Sequence, residues 1–118
     1  MKTLVFFLLL TALPAWAADV SGVWKVDGSV VGNPVTPTCT LKQTDAKISG
    51  SCKLDDGHVA DVTGEAKGGE VTWKYTQEYQ GTDYTLTFNG TADSDTSIKG
   101  SISVSPSDAG GDFTANKQ

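Results

Sequence analysis

Between Glu70 and Ala92 apolar and polar residues alternate almost without a break. Val71, Trp73, Tyr75, Gln77 and Tyr79 share one parity, with Thr72, Lys74, Thr76 and Glu78 on the other. After Gln80-Gly81 the pattern resumes, with Tyr84, Leu86, Phe88 and Gly90 on one face and Asp83, Thr85, Thr87, Asn89 and Thr91 on the other. A period of two is that of a half-buried strand, and valine, threonine and aromatic residues suit a pleated surface. Folding the two runs about Gln80-Gly81 sets Trp73 opposite Phe88 and Tyr75 opposite Leu86, so inward residues meet inward residues. A slip of one residue would reverse every side chain, so the alternation constrains the register.

The same reading extends along the chain. Gly68-Gly69 suits a tight turn needing positive φ and sets small Gly64 opposite Trp73. Asp55-Asp56-Gly57 lies in the bend before a strand over Val59–Lys67. Asp93-Ser94-Asp95 leads back to Ser97–Val104. Gly32-Asn33 is read as joining a first strand, Val20–Val31, to a second, Val35–Thr44, and a last strand, Asp112–Lys117, follows the loop Ser105–Gly111. No segment shows helical spacing. The result is an all-β chain, an eight-stranded antiparallel up-and-down meander. Val20-Ser-Gly22, Ile48-Ser-Gly50, Val62-Thr-Gly64, Phe88-Asn-Gly90 and Ile98-Lys-Gly100 repeat an apolar-polar-glycine unit with each glycine facing inward. Repeated inward glycines indicate strong coiling in a small barrel. Closure also removes the two edges that an open sheet would expose.

Two features bear on location. Lys2, the apolar run Leu4 to Leu13 and Ala15-Trp16-Ala17 form a secretory leader over residues 1–17, too short to span a bilayer. The remaining 18–118 make one domain of 101 residues, expected in the periplasm or outside the cell, with no membrane span. The chain has no arginine and a formal net charge of −5, a balance that excludes nucleic acid as a partner. Cys39 and Cys52 are its two cysteines, and exported proteins keep disulfides. A turn at Asp45-Ala46 pairs Thr44 with Lys47, Leu41 with Gly50 and Cys39 with Cys52, at a non-hydrogen-bonded pair where side chains approach most closely. A disulfide is therefore expected there.

The opening Gly22-Val23-Trp24 resembles the G-x-W that begins lipocalins. Phe113-Thr114-Ala115-Asn116-Lys117 resembles the last strand of small lipocalin-like and avidin-like barrels, of the calycin type. Leu41 to Gly50 is similar to the second hairpin of bacterial lipocalin-like domains. The resemblance implies that Trp24 plugs one end of the barrel and that Lys117 packs over it, with Gly22 at the entry. It implies no particular ligand.

Chemistry-bearing residues are sparse. His58 beside Asp56 and Asp61 has no nucleophile to serve and reads as a solvated loop histidine. Asp93-Ser94-Asp95 begins like a calcium loop, but Ile98 and Val104 occupy the glycine and bidentate-glutamate positions, so the acids read as turn formers. Asn89-Gly90-Thr91 is a glycosylation sequon in mid-strand. No residue set has zinc spacing, and no catalytic group, metal or cofactor is expected. The inward aromatics carry the functional reading. In a meander the turns alternate between ends, and Gln77, Tyr79 and Tyr84 fall near the end with the longer loops, over Trp73, Tyr75 and Phe88. These six residues are the candidate lining of a mostly apolar pocket. Two functions follow. One is a non-enzymatic carrier of a small, partly apolar ligand. The other is a protein-binding module such as a periplasmic protease or lysozyme inhibitor, because small disulfide-stapled barrels opening with G-x-W serve as metalloprotease inhibitors and this chain resembles them. An open mouth favours the first, a filled barrel with an exposed apolar rim the second. Oligomeric state stays open.

Overall fold

The computed structural model describes residues 19–118, and the leader read over residues 1–17 lies outside them. The described residues form strands joined by turns, with no helix. The strands are β1 (Gly22–Val30), β2 (Asn33–Val35), β3 (Thr38–Thr44), β4 (Lys47–Lys53), β5 (Val59–Lys67), β6 (Glu70–Tyr79), β7 (Thr82–Ser94), β8 (Ser97–Ser105) and β9 (Ala109–Lys117). β2 and β3 both pair antiparallel with β1, each later strand pairs antiparallel with the one before it, and β9 returns to β1 from Gly111↔Val30 to Lys117↔Trp24. The sheet is therefore a closed eight-stave barrel with one extra short strand.

The extra strand arises from proline. Gly28↔Val35 and Lys25↔Thr38 belong to one uninterrupted register, so β2 and β3 are a single stave with a gap in its ladder at Thr36-Pro37. Pro37 has no N–H to give, although its carbonyl still accepts from the Val26 N–H at 3.0 Å. The turn above it differs from the expected Gly32-Asn33. Val30 pairs with Asn33, so the corner is Val31-Gly32, with φ of 50° and 80°. The first strand is also shorter than expected, and the last is longer. β9 begins at Ala109, which cuts the final loop to Pro106–Asp108.

Elsewhere the pairing follows the alternation. Trp73↔Phe88 and Tyr75↔Leu86 stand opposite, as do Gly64↔Trp73. Gly68 and Gly69 both take positive φ, 58° and 92°, in the turn that separates Lys67 from Glu70. Cys39 and Cys52 are disulfide-bonded, with a Cα–Cα separation of 3.9 Å, as a non-hydrogen-bonded pair brings them. At Gly64 a Cβ would collide with the Thr72 carbonyl, so only glycine lets β5 lean this far onto β6.

Inward parity becomes the core. Trp73 stacks on Phe88 with centroids 5.3 Å apart and planes 6° from parallel, and Phe113 meets both edge-on at 5.5 and 5.3 Å. Trp24, Val26, Leu41, Ile48, Val62, Val71, Ile98, Ile102 and Ala115 complete the filling, and among the described residues no polar or charged one is fully buried.

Candidate functional site

The two ends of the barrel are built differently. At one end Trp24 is buried and its Nε1 donates to the Val20 carbonyl at 2.9 Å. The Val20 N–H donates to Gln43 Oε1 at 3.0 Å, and the Gln43 N–H donates to Ser21 Oγ at 2.9 Å, which ties the N-terminal arm across β3. Lys117 Nζ stands 5.9 Å from the Trp24 ring centroid, within range of a cation–π contact. Gly22 lies directly under the same lysine, since a Cβ there would come 2.6 Å from Lys117 Cε. Gly22, Trp24 and Lys117 thus meet in one closed end.

The opposite end carries the corners Val31-Gly32, Leu54–His58, Gln80-Gly81 and Pro106–Asp108. Here the inward side chains leave a cleft of about 270 Å³ lined by Pro34, Val35, Thr36, Pro37, Leu54, Asp55, Asp56, Tyr75, Gln77 and Tyr79. Of the six residues read as ligand-lining, Tyr75, Gln77 and Tyr79 meet in this cleft. Trp73 and Phe88 lie beneath it in the closed aromatic stack, each fully buried. Tyr84 is half-buried, packed against the core beside the cleft and outside its lining. The filled stack means that the barrel has a mouth over a solid floor.

Sequence reasoning did not single out Pro34, Val35, Pro37, Leu54 or Asp55. A usable signal was present: Val35 and Pro37 share the inward parity of Cys39 and Leu41, and Leu54 that of Cys52. The proline kink brings that segment over the mouth, where Thr36 Oγ1 donates to Asp55 Oδ1 at 2.7 Å and joins the two walls.

The floor of the cleft is Tyr75, only 3% exposed. Burial, with the nearby Asp55 carboxylate adding to it, pushes the Tyr75 hydroxyl well above the usual tyrosine pKa. It stays protonated, able to donate and accept. On the rim, Asp56 Oδ2 lies 2.9 Å from His58 Nδ1, and Asp56 Oδ1 accepts the His58 N–H at 2.9 Å. These bonds lower the Asp56 pKa, and the side-chain bond to Asp56 raises that of His58. Both groups are exposed and no nucleophile adjoins them, so the pair holds the loop.

The wall beside the cleft is open. β5 and β6 pair from Lys67↔Glu70 only as far as Thr63↔Lys74, yet β5 runs on to Val59 and β6 to Tyr79. Antiparallel bonds alternate in direction, so the unpaired backbone groups of Val59 and Asp61 face those of Thr76 and Glu78 across this seam. An opening of about 320 Å³ lined by Asp61, Thr63, Lys74, Tyr75, Thr76 and Thr85 lies there. Tyr75 borders both seam and cleft.

A wider hollow, of about 840 Å³, is on the outer face over β4, β5 and β6. Lysines 47, 67 and 74 and glutamates 65 and 70 edge it, and no aromatic lines it. Its size comes from shallow breadth over lysines, glutamates and threonines, so the smaller cleft, with its buried tyrosine floor, is the better-formed site. Among the described residues no group of three or more histidine, cysteine or acidic side chains could hold a metal ion, and no helix is long and apolar enough to cross a membrane.

No family model matches the sequence, and no curated protein matches it. Solved structures do share the fold. A redesigned β-barrel, mFAP1, bound to DFHBI, superposes with a TM-score of 0.61 at 15% identity, over 83% of this chain and 94% of that one. The redesigned barrel mFAP0, also bound to DFHBI, gives 0.59 at 14% identity over 83% and 98%. EF1p2_mFAP2b bound to DFHBI gives 0.55 at 17% identity over 84% and 94%. At such identities the likeness is one of fold: this chain is a small β-barrel of the shape those designs share.

Proposed function

We propose that this protein is a non-enzymatic binding protein, working outside the cytoplasm, that holds a small and partly apolar molecule in the cleft at the open end of its barrel. The observation that carries the reading is the cleft itself. Apolar walls from Pro34, Val35, Pro37 and Leu54 surround a few polar groups, Tyr75, Gln77 and Asp55, at the one end of the barrel that is not plugged. That mixture is characteristic of small-molecule sites. At about 270 Å³ the cleft lies near the low end of the usual range, roughly 300–1,000 Å³, so a small guest fits best. Designed barrels of the same shape bound to DFHBI add support that such a fold accommodates a small guest. The disulfide supports an oxidising compartment. Gly22, Trp24 and Lys117 support grouping the chain with lipocalin-like secreted barrels.

The test is native mass spectrometry of the protein purified from its own source, with Tyr79→Ala alongside. Retention of a small molecule by wild type and its loss from the variant is the expected result. If neither form retains one, and no hydrophobic fluorophore binds wild type more tightly than the variant, the reading fails.

A second reading, a protein-binding module such as a periplasmic protease or lysozyme inhibitor, draws on the seam. Unpaired strand edges accept an extended segment of a partner, and Val59 and Tyr79 stand 66% and 59% exposed beside this one. Inhibition of a lysozyme or metalloprotease that is relieved by Thr76→Pro would favour it.

A further inference from the structure

The cleft at the open end is acidic and contains no cationic side chain. Its lining includes two carboxylates and no lysine. Asp56 is already engaged by His58. Asp55 is not: its described partner is the neutral hydroxyl of Thr36, and among the described residues it makes no ion pair. Beside it lies Tyr75, nine-tenths buried and more, whose hydroxyl has no hydrogen-bond partner among the described residues and borders the cleft. Tyr79 supplies a second aromatic ring at the rim.

These groups discriminate by charge. The Asp55 carboxylate at the rim of the cleft repels an anion, and a neutral guest that covers it offers no charge in place of the water it displaces. A protonated amine does compensate. It donates a charge-assisted hydrogen bond to Asp55 and another to the free lone pair of the Tyr75 hydroxyl, and aromatic rings favour a nearby cation. The apolar remainder of such a molecule is matched by Pro37 and Leu54.

From this arrangement we propose that the cleft selects a small amphipathic cation, a protonated amine on an apolar body, with the ammonium held by Asp55 and Tyr75. The proposal rests on the small-ligand reading and adds its charge class.

Three probes of nearly equal body test it: 2-phenylethylamine, 2-phenylethanol and 3-phenylpropanoate, titrated at pH 7 and followed by amide chemical shifts in wild type, Asp55→Asn and Tyr79→Ala. Asp55 is exposed, so its replacement is not expected to disturb folding. Wild type should bind the amine about tenfold or more tightly than the alcohol, with the acid weakest and with shifts centred on Tyr75 and Gln77. Asp55→Asn should bring amine and alcohol to similar affinity, and Tyr79→Ala should weaken both. Alcohol binding as tight as amine binding in wild type overturns the charge selection and leaves the cleft as a binding site. An amine preference that survives Asp55→Asn, or shifts confined to other acidic surfaces, overturns the assignment to this cleft. If none of the three binds wild type, both this inference and the small-ligand reading lose their support.

Discussion

Trp24 Nε1 donates to the carbonyl of Val20 at 2.9 Å, and this bond lets the closed end bury a whole indole without leaving its N–H unsatisfied. Trp73 is buried as deeply, but its Nε1 has no partner. The two tryptophans should therefore respond differently to the same change. Trp24→Phe loses volume and strands the Val20 carbonyl; Trp73→Phe loses volume but also removes an N–H whose burial costs about 1–3 kcal/mol. Urea denaturation should show the smaller loss at Trp73. Trp24→Ala should cost about 3–5 kcal/mol and leave the domain barely folded. Equal losses in the two phenylalanine variants would show that the bond to Val20 contributes nothing.

The Cys39–Cys52 bridge joins positions 13 apart in sequence within one hairpin. On the chain-entropy model it contributes roughly 3 kcal/mol, a large share for a domain of this size. Replacing both cysteines by alanine should lower the urea midpoint accordingly while leaving the far-ultraviolet spectrum of the folded state unchanged.

Val31 is a β-branched residue held at φ 50° with its side chain 75% exposed. A left-handed conformation costs an L-residue about 1–2 kcal/mol, and nothing buried compensates for it here. Val31→Asn, which makes the corner Asn-Gly, should stabilise the protein by about 1 kcal/mol. A thermal melt of the variant that is no higher than wild type would argue against this turn.

The Asp56–His58 pair has a signature in pH. His58 titrates above its ordinary 6.5, so its contribution is complete below that value and is lost as pH rises through the raised one. Asp56 titrates below its ordinary 3.8, and its contribution is lost as pH falls through the lowered value. The pair is therefore fully formed between about pH 4 and 6.5. Histidine chemical shifts should place the His58 midpoint above 6.5, and Asp56→Asn should return it there. Because both groups are exposed, stability should hardly change with the substitution.

Tyr79 and Tyr84 share inward parity but not environment. Tyr79→Ala should weaken ligand binding and move the melting temperature little, since the ring is mostly in solvent. Tyr84→Ala should cost stability first, because that ring packs against the core. Comparing melts and binding isotherms for the two variants separates lining from packing.

The alternation around Trp73, Tyr75 and Phe88 made the register of β6 and β7 legible, and parity together with the turn at Asp45-Ala46 placed Cys39 against Cys52. Parity could not place the first corner. Moving it from Gly32-Asn33 to Val31-Gly32 shifts the pairing by two residues, which keeps every inward side chain inward; Trp24 then meets Cys39 in place of Leu41. The glycine-asparagine dipeptide looked the better turn, and tertiary pairing overrode it. Nor could parity show which inward aromatics stay open. Trp73, Tyr75 and Tyr79 are equivalent in the pattern, and only depth along the barrel separates a floor from a stack. The seam was illegible for a related reason: Tyr75–Tyr79 continues the alternation of the paired half of β6, and nothing in the pattern marks Thr63↔Lys74 as the last rung.

That seam bears on how the barrel is held together. Its unpaired stretch lies at the open end of a hairpin whose other end is tethered by the two-glycine corner at Gly68-Gly69, and each arm stays laddered to its outer neighbour, β4 or β7. The ladder between β5 and β6 is thus complete toward the plugged end and interrupted toward the mouth. The amides of Asp61, Thr76 and Glu78, which face the seam without a cross-strand partner, should therefore exchange with solvent faster than those of Thr63 and Lys74, where the ladder resumes.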